Sequence, residues 1–96
     1  MLSAIPFKLD AINAEDRDKE ILRAAIIAEL DAVNLYEQLA SLTASAAIKT
    51  ILRDVAREEK THVGEFQALL LKLDAEQAEE LRAGDREVRE KTGSGR

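Results

Sequence analysis

The sequence predicts an all-α fold, an antiparallel two-helix hairpin followed by a short third helix, that pairs with a second copy to close a four-helix bundle. Three observations predict it. Apolar residues recur at alternating intervals of four and three over two long segments, the period of one buried helix face. Helix breakers are rare: the one proline is Pro6, and of the glycines at 64, 84, 93 and 95 only Gly64 interrupts a long segment. A lone hairpin encloses little core, yet the chain is 46% hydrophobic, so a further protein surface must cover it.

The 96 residues suffice for one domain, 1–96. Residues 1–12 read as an extended arm, with Leu2, Ile5 and Phe7 able to pack on a neighbour. Asn13 with Asp16 three residues later is a capping arrangement that opens a first helix over 14–42. The turn lies at 42–45, and Ser45 is the N-cap of a second helix over 46–73. Each helix is roughly 40 Å long at about 1.5 Å per residue. Asp74 and Gln77 form another capping pair and open a short third helix over 75–83, with Gly84 as its stop. Residues 85–96 are charged and end in Gly and Ser, the composition of a helical extension fading into a linker or frayed tail.

Both apolar stripes contain an anomaly. The first runs Leu22, Ile26, Glu29, Val33, Tyr36, Ala40, with a carboxylate at its centre. The second runs Ile48, Leu52, Val55, Glu59, His62, Phe66, Leu69, Leu73, with a Glu-x-x-His step at its centre. Burying an unpaired carboxylate costs several kcal/mol, so something must neutralise these groups. A metal cation is the leading candidate, because one helical turn sets Glu59 and His62 side by side. The first helix has a second apolar flank, Ala28, Ala32, Leu35, Leu39 and Leu42, which points to more than one protein contact.

Bulk properties exclude several classes. Net charge is −5, and no basic stripe suited to a phosphate backbone stands out, which argues against nucleic acid and suits a protein that gathers cations. There is no cysteine, hence no disulfide and no thiolate chemistry. Residues 1–8 lack the pattern of a signal peptide, and no apolar run approaches the length of a membrane span. A soluble cytoplasmic protein is the expectation.

Di-iron bundles of the ferritin type draw one Glu from each of two helices and Glu-x-x-His from each of the other two. This chain supplies half: Glu29, and Glu59 with His62. Two copies supply the whole set, and their four carboxylates match two divalent ions, with His62 as neutral imidazole. Oxygen-rich ligation with one nitrogen per metal suits Fe(II), two ions per dimer, or Mn(II). The competing reading is a helical assembly module without enzymatic activity, in which a buried polar pair fixes register. Glu-x-x-His alone occurs by chance on many solvated helices; the mid-stripe Glu29 on the neighbouring helix is what raises it. Tyr36 reads equally as a core aromatic or as a hydrogen-bonding or redox neighbour of the metal. Asp31, Glu58 and Glu65 are candidate entry or surface metal sites, though a solvated role suits each better, as it does Glu37.

The stretches AIIAELDAVNLYEQLA (25–40) and ILRDVAREEKTHVGEFQALL (51–70) resemble the encapsulated ferritin family, two-helix ferritin-like proteins housed in encapsulin shells. The shared pattern is Glu, then Tyr seven residues on, then Arg-x-Glu-Glu-Lys-x-His, with an archaeal, shell-fused branch the nearest in pattern. The resemblance implies a ferroxidase that oxidises Fe(II) to Fe(III) for storage by the shell. It implies Glu29, Glu59 and His62 as ferroxidase ligands, Tyr36 as the site tyrosine, and Asp31 and Glu58 as acids of metal entry. It implies a homodimer that assembles further into a ring of five dimers, a decamer. Ala28, Asp54 and Thr61 depart from the family pattern, which often has an acid at the first and acids or His at the others.

Overall fold

The computed structural model describes residues 13–93 and contains three helices: α1 Ala14–Leu42, α2 Ala46–Leu73 and α3 Ala75–Thr92. The arm expected at 1–12 lies outside the described residues, as does the end of the tail at 94–96.

Each helix starts where a polar side chain satisfies a free backbone donor. Asn13 Oδ1 accepts from the Asp16 N–H at 2.9 Å, Ser45 Oγ from Ile48 at 3.2 Å, and Asp74 Oδ1 from Gln77 at 3.0 Å. The connection between α1 and α2 is only residues 43–45, and it makes the two helices an antiparallel pair.

Mostly small residues let these helices approach. Ala32, Val33 and Ala40 of α1 and Ala56 and Leu70 of α2 are buried. The periodic stripes are therefore only partly covered. On α2 the covered line passes through Ala56 and Leu70, displaced around the helix from the larger apolar residues Ile48, Leu69 and Leu73, which stay exposed. Ile21, Leu39 and Leu42 of α1 and Ile51 of α2 are exposed as well, Ile51 at 62% and Leu42 at 80%. Among the described residues no polar or charged residue is fully buried. The fold is a slab of 46 × 43 × 19 Å, under two helix diameters thick, and has no deep interior.

The third helix departs from expectation. It does not stop at Ala83 but runs through Gly84 to Thr92. Glycine inside a helix costs about 1 kcal/mol relative to alanine, a penalty that neighbouring residues offset here. Asp85 and Arg89 pair one turn apart, Arg89 and Lys91 lie in the last turn, and the Thr92 hydroxyl donates to the Val88 carbonyl. The stop is Gly93, whose φ of 65° is the left-handed conformation of a helix end.

The start of α3 is tied to α1. Asp74 Oδ2 accepts from the Arg23 guanidinium at 2.7 Å while Oδ1 caps the helix. The Gln77 N–H does most to hold the Asp74 carboxyl below the usual carboxylate range; burial opposes it, and the Arg23 hydrogen bond and the charges of Lys19 and Arg23, each a smaller effect, reinforce it.

Candidate metal centre

Glu29 stands thirteen residues before the end of α1, and Glu59 thirteen residues after the start of α2. In an antiparallel hairpin this puts both at the same level, roughly 20 Å from the turn at about 1.5 Å per residue. His62 follows Glu59 by three residues and lies on the same side of α2. The result is one cluster: a ligand atom from each of Glu29, Glu59 and His62, all within 4.8 Å of one another. His62 Nδ1 lies 3.2 Å from Glu29 Oε2 and 3.5 Å from Glu59 Oε2.

The carboxylates are mostly covered, with side chains 20% exposed for Glu29 and 19% for Glu59, while the imidazole is 43% exposed. His62 stands one heptad from Leu69 and two from Ile48, so it shares their exposed apolar flank. Two acids this close in a partly dry setting repel each other, and a cation relieves that repulsion. His62 Nδ1 and Glu29 Oε2 stand at hydrogen-bond distance, with a proton on Nδ1 in the tautomer that donates to the carboxylate. Ligation through Nδ1 requires that proton to leave. The donor set, two carboxylates and one imidazole, fits Fe(II) or Mn(II) and leaves coordination positions open.

The other acids singled out in the sequence, Asp31, Glu58 and Glu65, do not join this cluster. Tyr36 is half-buried, and its hydroxyl makes no hydrogen bond to another described residue. Asp31 is half-buried; Glu58 and Glu65 are exposed. Glu37 pairs across the hairpin with Lys60 at 3.0 Å, and Asp54 pairs with Arg57. The Arg23–Asp74 link has no counterpart in sequence reasoning, since the two residues are 51 positions apart and no local pattern joins them.

Residues 20–93 match the family model described as rubrerythrin. The chain is 65% identical over 74 residues to a ferritin-like–encapsulin shell fusion protein of Pyrococcus furiosus, covering 77% of this chain and 21% of that protein. It is 44% identical over 57 residues to an encapsulin nanocompartment cargo protein of Myxococcus xanthus, covering 59% of this chain and 44% of that one. It thus spans less than half the length of either curated relative. The crystal structure of an encapsulated ferritin domain from Pyrococcus furiosus superposes with a TM-score of 0.84 at 55% identity, covering 97% of both chains.

Proposed function

This chain belongs to the rubrerythrin family, in its encapsulated ferritin branch, and we propose on that premise that it is a ferroxidase whose di-iron site is shared by two copies. The observation that carries the reading is the Glu29–Glu59–His62 cluster, half of a di-iron ligand set opening onto an uncovered apolar flank. A two-fold pairing through Leu39, Ile48, Ile51 and Leu69 covers that flank and brings a second cluster opposite the first.

Fe(II) is the substrate. Glu29 and Glu59 of both copies contribute four negative charges, which balance two Fe(II) ions. His62 binds as neutral imidazole through Nδ1, in the tautomer that keeps its one proton on Nε2. The two Fe(II) ions would give up two electrons in all, which with two protons from solvent reduce dioxygen to hydrogen peroxide or hydrogen peroxide to water, and the carboxylates stabilise the added positive charge of Fe(III) more strongly than water does. Tyr36 stands two turns from Glu29 on the same face of α1, and we assign it the role of a redox or hydrogen-bonding neighbour of the iron. Asp31, Glu58 and Glu65 serve at most as transient metal contacts on approach.

The names of the relatives support housing inside an encapsulin nanocompartment, where the shell holds the oxidised iron. Further association of dimers into a ring, a decamer, belongs to the same reading. No described helix is long and apolar enough to cross a membrane.

Aerobic addition of Fe(II) tests the activity. Rapid, saturable Fe(III) absorbance is expected, and Glu59→Ala and His62→Ala abolish it while keeping the helical signal. A polar register lock gives no such saturable signal, and its absence in the wild-type chain sinks the ferroxidase reading. Metal analysis of protein from native cells separates iron from manganese.

A further inference from the structure

The cleft between α2 and α3 carries a second constellation. Along α3, Arg82, Arg86 and Arg89 recur at intervals of four and three, so they share one side of the helix. All three line a cleft of about 550 Å³, whose other walls include Gln67 and Leu71 of α2 and Leu81 of α3. The glutamates of α3, Glu76, Glu79, Glu80, Glu87 and Glu90, are exposed, and none of them lines it.

The cleft is short of negative charge. Its one acid, Asp85, pairs with Arg89. Arg82 and Arg86 pair with no acid among the described residues. Arg89 Nε is buried and makes no hydrogen bond among them. Like charges one turn apart destabilise a helix, and an orphaned buried donor is costly. A chain with 19 acidic and 14 basic residues does not lack acids to pair them. Three guanidiniums against one carboxylate leave two positive charges, the complement of a dianion. The planar fork of arginine matches paired oxygens on one centre.

We propose that the α2–α3 cleft binds a phosphate-class oxyanion, held by the Arg82 and Arg86 forks with Arg89 Nε as a further donor. The site does not rest on the ferroxidase reading. Gln67, its α2 residue nearest His62 in sequence, lies five residues further on, about 7.5 Å along the axis and on another side of the helix.

The test uses the full chain without metal and inorganic phosphate as the probe, against chloride at matched ionic strength. Phosphate is expected to bind saturably, to raise Tm more than chloride does, and to shift the Arg89 Nε–H signal in proton–nitrogen spectra. Arg82→Gln with Arg86→Gln is expected to weaken binding by about tenfold or more. Arg53→Gln, a change on α2 outside the cleft, keeps wild-type binding. Far-UV circular dichroism checks that the double variant is folded, and Arg86→Lys, which keeps the charge and loses the fork, weakens binding if it is not. Three results each overturn the proposal: an effect of phosphate no larger than that of chloride, an unmoved Arg89 signal, or equal loss in Arg53→Gln. So does a double variant that keeps phosphate binding and changes only its solution mass, because the cluster is then a contact between copies.

Discussion

Glu29→Gln separates charge from packing at the proposed centre. The side chain keeps its size, and its carbonyl oxygen still accepts from His62 Nδ1, so the apo hairpin stays folded. What is lost is one negative charge per copy. The three ligand atoms lie within 4.8 Å of one another, and at that distance a unit charge interacts with each charge of a cation by about 3.5 kcal/mol at an effective dielectric of about 20. A divalent ion doubles this figure, partial exposure and water lower it, and the expected loss in affinity is roughly 100-fold or more. In the dimer, two carboxylates then face two divalent ions, and the second ion suffers most. Anaerobic titration with Fe(II) or Co(II) reads occupancy per dimer, and stopped-flow absorbance reads oxidation. The expected result is reduced occupancy with loss of the fast oxidation phase. Wild-type occupancy and rate would refute the reasoning and make Glu29 a structural partner of His62 only.

Three further outcomes follow from the same geometry. Ile51→Glu places a charge on the uncovered flank; by symmetry it removes two buried isoleucines per dimer, worth about 3 kcal/mol together, and is expected to weaken dimerisation roughly a hundredfold without loss of monomer helicity, as read by sedimentation and circular dichroism. Gly84→Ala is expected to stabilise the chain by about 0.5–1 kcal/mol in denaturant melts, because an added Cβ meets nothing within 4 Å and the residue is mid-helix. Asp74 has a depressed folded pKa, so its stabilisation is complete above the ordinary carboxylate value and is lost as pH falls through the lower folded value; hydrogen exchange of α3 should follow that acid-side loss, and Asp74→Asn should remove it, whereas loss of α3 protection above the ordinary carboxylate range would contradict the assignment.

Local chemistry made much of this molecule legible in its sequence. Asn13, Ser45 and Asp74 each act within three residues of themselves, so their caps were readable from spacing alone. Glu59 and His62 were readable for the same reason, and Glu29 joined them because equal distances from a short turn put both helices in register. The length of α3 was not legible, because Gly84 reads as a stop signal and its intrinsic cost is small enough for flanking residues to offset. Nor was the covered line of the hairpin. Periodicity marks an apolar face without naming its partner; within one copy the small residues Ala32, Ala40 and Ala56 are covered, while Ile48, Leu69 and Leu73 are left out. The Arg23–Asp74 bond joins residues far apart in the chain, and nothing short of the folded hairpin brings them together.

The central claim is that the site is complete only when two copies meet. Oxidation rate per chain, measured over a dilution series with solution mass at each concentration, tests it most directly. The account predicts that the rate per chain falls in step with the dimer fraction, and that metal shifts the population back toward dimer because it binds only the assembled form. A strictly monomeric species that oxidises Fe(II) at the full rate per chain would contradict it.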